Sequence, residues 1–135
     1  MSFDALFAAA AKARLAAHAP YSKFLVGAAI RDEQGRIHMG CNVENAAYPQ
    51  GTCAEAGAIA LMALSGGRRI MEIAVSGAGE GLVTPCGGCR QKIREFAAPD
   101  TPIHVLDAVG RLKRSFTLDE LLPFSFGPDH LEMTQ

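Results

Sequence analysis

The placement of its cysteines restricts this chain more than any other feature. Cys53 stands just before Ala54 to Leu64, a stretch of helix formers, and Cys86-Gly87-Gly88-Cys89 opens a second helical stretch reaching Phe96, thirty-three positions further on. A helix start carries unsatisfied N–H groups and roughly half a unit of positive charge, so it favours thiolates. If these sulfurs share one ion, two separate helices must bring their first turns together. Glu55 follows Cys53 by two positions, which on a helical body is about 200° of rotation. In the first turn, however, side chains lean back toward the N-terminus, so Cys53 and Glu55 both reach one point.

The remaining pattern supplies elements to hold that junction. Phe3, Leu6, Phe7, Ala10 and Leu15 recur near helical spacing from Phe3 to about Ala17, where Ala19-Pro20 ends the helix. Residues 24–30 and 36–43 read as strands joined by Asp32-Glu33-Gln34-Gly35, a hairpin turn, and 45–51 as a loop. Ser65-Gly66-Gly67 stops the helix after Cys53, residues 70–76 read as a strand, and 78–85 as a Gly-rich loop. Strands at 103–106 and 111–116 follow, then Thr117-Leu118-Asp119-Glu120 in the form of a capping box. Strands alternating with helices predict an α/β fold, a three-layer α/β/α sandwich with a central mixed sheet, and one domain over residues 1–135. The helix at 54–64 has almost no polar residue beyond Glu55, so it needs cover on all sides, which predicts an oligomer.

Charge narrows the partners. Thirteen Lys and Arg against fourteen Asp and Glu leave a net charge of −1, with no basic excess to neutralise a phosphate backbone, so no nucleic acid is expected. The N-terminus shows no export signal, and no apolar run approaches the about 18 residues that span a bilayer. A cytoplasmic chain without a membrane partner is expected, where cysteines serve as metal ligands or catalytic thiols. Cys53, Cys86 and Cys89 as three thiolates suit Zn²⁺ with an open fourth position, and Glu55 beside it suits general acid–base work. C-x-x-C by itself is also half of a structural zinc site or a redox pair. Cys41, at a strand end, reads as a buried hydrophobe, and His18, His38, His104 and His130 as surface or satisfied histidines.

Cys53-Ala54-Glu55 followed by Pro85-Cys86-Gly87-Gly88-Cys89 resembles the zinc signature of the cytidine deaminases. The similarity extends to Phe24-Leu25-Val26-Gly27-Ala28, to Asn42-Val43-Glu44-Asn45-Ala46, and to Leu121-Leu122-Pro123 with Phe126-Gly127-Pro128. The resemblance implies a cytidine deaminase-like fold and a Zn²⁺ enzyme of the small homotetrameric type. Its substrates would be free cytosine nucleoside and water, with cytidine and 2′-deoxycytidine converted to uridine and 2′-deoxyuridine and ammonia released, as in pyrimidine salvage. It implies Glu55 as the catalytic residue and Cys53, Cys86 and Cys89 as metal ligands. Asn42 and Glu44 would bind the ribose 3′-hydroxyl, Phe24 would pack on the pyrimidine, and the Ala54 N–H would help fix the base. Tyr48 and Phe126 would reach a neighbouring subunit's site, so active sites would be shared. For Asn42 and Glu44 a loop-capping role is the alternative, and for Phe24 and Phe126 a core role. Many relatives carry Arg directly after Cys-Ala-Glu, where this chain has Ala56-Gly57. Arg90, beside Cys89, is then expected to donate to the sulfurs, with the helix starts as the other source of charge. Two other functions fit the same residues: a deaminase for another cytosine nucleoside, such as a blasticidin-type antibiotic, and a non-catalytic zinc-stabilised interaction module. The second would need a fourth ligand and no Glu55.

Overall fold

The computed structural model describes residues 2–131, with side chains from residue 5 onward. Phe3, assigned to the apolar face of the first helix, has its side chain outside the described residues. Helix α1 (Ser2–Arg14) ends before Ala17, because the N–H groups of Leu15, Ala16 and Ala17 bond three residues back and tighten the chain toward Pro20. Leu15 thereby leaves the helix face and is exposed.

Strands β1 (Val26–Asp32) and β2 (Ile37–Cys41) form the expected hairpin, in register from Gly27 opposite Cys41 to Arg31 opposite Ile37. β1 starts two residues later than its apolar run, since the Asn42 side chain bonds Val26 N and Phe24 O (both 2.9 Å) and holds Phe24 off the ladder. In the turn, Asp32 Oδ1 accepts from Gln34 N (2.9 Å) and Arg36 N (3.0 Å), and Gly35 takes the left-handed φ of 81°. Asp32 Oδ2 meets Arg36 Nε and His38 Nε2, each at 2.8 Å. Burial alone would raise the Asp32 carboxyl, but these donors hold it well below the usual carboxylate range. His38 is therefore a satisfied buried histidine, as is His104 between Ser115 Oγ (2.7 Å) and Glu72 Oε1 (3.0 Å). His18 and His130 lie at the surface.

Helix α2 (Ala54–Leu64) connects to β3 (Ile70–Gly77), and helix α3 (Gly87–Arg94) connects to β4 (Pro102–Leu106). β5 (Leu112–Thr117) and the short helix α4 (Leu118–Leu121) follow. The sheet runs β2-β1-β3-β4-β5. Among the described strands, only β3 and β4 pair in parallel, so α3 is their crossover; β2 and β3 both oppose β1, which makes α2 a crossover too. The capping box forms: Thr117 N donates to Glu120 Oε1 (2.8 Å) and Glu120 N to Thr117 Oγ1 (3.2 Å).

Alternate residues of the central strands bury on opposite faces. Ala28, Ile30, Ile73, Val75 and Ile103 pack with α2, Ile93 of α3 and Leu118 of α4, whereas Ala29, Ala74 and Leu106 pack with Leu6 and Ala10 of α1. This is the expected three-layer mixed-sheet sandwich. The close seat of α2 depends on Gly40, where a Cβ would collide with the Ala54 carbonyl and the Ala58 nitrogen. With its first turn lying directly on β2, α2 can shift little, and so the residues at its start are held in place.

Candidate functional site

Cys53 is the N-cap of α2 and Cys86 the N-cap of α3, while Cys89 lies in the first turn of α3. The Cys53 side chain makes no cap bond to α2, while the Cys86 sulfur faces the Cys89 N–H in the first turn of α3. The three sulfurs lie within 4.8 Å of one another. Cys53 Sγ and Cys86 Sγ are 3.7 Å apart, far beyond the about 2.0 Å of a disulfide. Two sulfurs about 2.3 Å from one tetrahedral zinc stand about 3.8 Å apart, so the spacing fits the ion. Among the described residues, the cluster comprises these three cysteines.

The three thiols differ in how readily they ionise. Burial pushes the Cys89 thiol far up, and the negative fields of Glu55, Cys53 and Cys86 add to it. Cys53 is raised by burial and by Cys86. Cys86 moves the other way: burial opposes ionisation, but the Cys89 N–H and the neighbouring sulfurs bring it below the ordinary thiol value. Cys53 and Cys89 thus ionise reluctantly beside their neighbours, and a divalent cation held by the three sulfurs would favour their thiolate forms. Glu55, only 3% exposed, is raised by burial, offset in part by contact with Cys89 and by the charge of Lys92. A carboxyl in that setting exchanges a proton more readily near neutrality than an exposed one does.

Arg90 is a correction. Its Nε donates to Pro85 O (2.7 Å), one terminal nitrogen to Leu121 O (2.8 Å) and the other to Thr84 Oγ1 (3.0 Å). The guanidinium thus ties the loop before Cys86 to the end of α4, and its bonds go to oxygen rather than sulfur. Cys41 is also corrected: it is partly exposed rather than buried, and its sulfur stands outside the cluster.

A cavity of about 370 Å³ is lined by Tyr21, Ser22, Glu44, Asn45, Tyr48 and Gly51. Glu44 accepts from Tyr21 N (3.0 Å), Ser22 N (3.1 Å) and the Ser22 hydroxyl, and these donors hold its carboxyl below the usual range. Tyr48 is exposed, its ring edge-on to Tyr21 at 5.8 Å. Asn42 and Phe24 sit together at the start of β1, with Phe24 42% exposed and so not a core residue in this chain. Ala54 opens α2, buried at the foot of the sulfur cluster. Phe126 is drawn elsewhere within its own chain: its ring stacks on His130 at 5.2 Å, and its carbonyl accepts from Gln91 Nε2 (2.8 Å). Tyr21 and Ser22, which brace Glu44, escaped sequence reasoning; an aromatic and a hydroxyl in a loop are too common to single out.

Residues 1–105 match the family model for the cytidine and deoxycytidylate deaminase zinc-binding region. The chain is 41% identical over 131 residues to the cytidine deaminase of Sporosarcina psychrophila, covering 97% of this chain and 96% of that one. It is 37% identical over 122 residues to the cytidine deaminase of Mycobacterium tuberculosis, covering 90% and 87%. The crystal structure of cytidine deaminase from Burkholderia pseudomallei superposes with a TM-score of 0.86 at 40% identity, covering 93% of this chain and all of that one.

Proposed function

Since the chain belongs to the cytidine deaminase family, we propose that it hydrolyses cytidine and 2′-deoxycytidine to uridine and 2′-deoxyuridine with release of ammonia. The observation that carries this reading is the buried Glu55 carboxyl beside three converging sulfurs at the starts of two helices. Cys53, Cys86 and Cys89 would hold Zn²⁺, which when bound supplies the Lewis acidity that makes water nucleophilic at neutral pH. Glu55 takes one proton from that water and delivers it to N3 as oxygen adds to C4. It then takes the second proton from the new hydroxyl and passes it to the amine, so C–N cleavage leaves the C4 carbonyl and ammonia. One molecule of water is consumed and the carboxylate is regenerated.

Around that centre, the Ala54 N–H would fix the base and Phe24 would pack on the ring. Glu44 and Asn42 would hold the ribose 3′-hydroxyl. Asn42 already bonds the backbone of residues 24–26, yet each of its amide atoms retains one further hydrogen-bonding position for a hydroxyl. Residues 1–135 act as one domain. A free nucleoside from pyrimidine salvage in the cytoplasm suits a chain of net charge −1 in which no described helix is long and apolar enough to cross a membrane. Loss of cytidine absorbance, measured with metal content on a panel including 2′-deoxycytidine and a blasticidin-type nucleoside, tests the assignment. Turnover confined to the antibiotic would move the substrate; stoichiometric zinc without any turnover would leave an interaction module.

The proposed assembly is a homotetramer with shared sites. Its support is apolar surface that one chain leaves open: Leu61 (41%) and Leu64 (84%) on α2, and Phe124 (106%) and Phe126 (57%) beyond α4. Phe126 and Tyr48 would then reach the site of a neighbour. Phe126→Ala should weaken cytidine binding by about 1–3 kcal/mol if the ring stacks on a base. Mixing Glu55→Gln and Phe126→Ala chains under subunit exchange should recover activity, because some sites regain both intact residues. A monomer by sedimentation, or no recovery despite proven exchange of inactive parents, would refute the shared site.

A further inference from the structure

We propose that Lys92 supplies, at the three-sulfur centre, the positive charge that Ala56, directly after Cys53-Ala54-Glu55, cannot. The inference rests on reading that centre as a metal site. Three thiolates on a divalent ion leave one net negative charge, and Glu55 adds another when ionised. The helix starts contribute only partial charges, and the Arg90 guanidinium is committed to Pro85, Leu121 and Thr84.

Lys92 is placed to fill the gap. It follows Cys89 by three positions and Gly88 by four on α3, so it shares their helix face, and its long side chain leans toward the helix start. Its Nζ lies 3.6 Å from the point that a Cβ on Gly88 would occupy, inside the Cys86-Gly87-Gly88-Cys89 turn. Ala56 and Lys92 also line one cavity of about 410 Å³ with Ile59, Ala60, Gln91, Glu95 and Phe96. The space that a longer residue at position 56 would enter is therefore the space beside the ammonium.

Loading the site replaces thiol protons and ends with a negatively charged centre, so a nearby cation favours the loaded state. Lys92→Met keeps the stem and removes only the charge. In the full chain it should weaken zinc roughly tenfold in competition with a chromogenic chelator, the scale of an outer-shell loss. It should also shift the sulfur-to-metal charge-transfer band of the cobalt-substituted protein to longer wavelength, because sulfurs relieved of a neighbouring cation donate electrons more readily. Lys92→Arg should retain both properties, and Ala56→Arg should restore zinc binding in Lys92→Met by more than it adds to the parent. Unchanged zinc affinity with an unmoved band in Lys92→Met would overturn the proposal, as would an equal gain from Ala56→Arg in both backgrounds. A parent that binds no zinc would instead overturn the metal reading itself.

Discussion

Glu55→Gln should abolish most cytidine turnover while leaving zinc in place, with kcat falling by roughly 10²–10⁴-fold, the usual worth of a positioned proton carrier. Glutamine matches glutamate in size and still donates and accepts hydrogen bonds, so it can occupy the pocket between α2 and the sulfurs. It cannot take a proton from water and return it to N3 and the amine. The buried setting makes the comparison clean. The Glu55 carboxyl is raised by burial, so in metal-free protein its ionisation opposes folding. That penalty is absent below the ordinary glutamate pKa and grows as pH rises toward the raised folded value. The variant, which carries no such penalty, should melt no lower than the parent after chelation. Metal content, cytidine kinetics and melting of the same preparation check all three points. Activity within about tenfold of the parent would remove Glu55 from the proton-transfer role.

Cys86→Ala and Cys89→Ala should each lose zinc, and with it much of the stability of the folded chain. The sulfurs come from the starts of two helices separated by a whole strand, so an ion that joins them exists only in the folded arrangement. Its binding free energy is then folding free energy. With free zinc a thousandfold above its dissociation constant, that linkage is worth about 4 kcal/mol. For a domain of this size, such a loss lowers the melting temperature by about 10–20 °C. The parent should melt lower when chelator is added, whereas the variants should not respond. Cys89 is buried and Cys86 exposed, so Cys89→Ala should be the less stable variant even under chelator, through its small cavity. Equal melting of parent and variants, with and without chelator, would make the ion irrelevant to folding.

The most local features were the most legible. Helix α2 runs over residues 54–64 as its composition predicts, because Cys53 precedes it and Ser65-Gly66-Gly67 breaks it, and both signals act within a few residues. The Thr117–Glu120 capping box forms for the same reason. Phe24 and Leu25 look like the start of a strand, but the Asn42 side chain, folded in from beyond β2, donates to the Phe24 carbonyl and accepts from the Val26 N–H, so the strand begins at Val26. Arg90 illustrates a second limit. Adjacency to Cys89 in sequence places it about 100° around the helix, facing the loop carbonyls, while Lys92 shares the face of the motif.

The amino-acid sequence by itself determined the chemistry available at the centre: three sulfurs and a carboxyl at helix starts, where backbone geometry and partial charge are dictated by immediate neighbours. It also determined the layering, since alternating strands and helices with apolar runs allow few other packings. Only the tertiary structure decided the strand order that brings α2 and α3 together, the seat of α2 against Gly40, the bracing of Glu44 by Tyr21 and Ser22, and the destinations of Arg90, Lys92 and Phe126. Those outcomes depend on long side chains and on contacts between residues far apart in the chain. Several rotamers satisfy the local backbone equally well, and the choice among them is made by whichever distant carbonyl, ring or cavity the fold delivers.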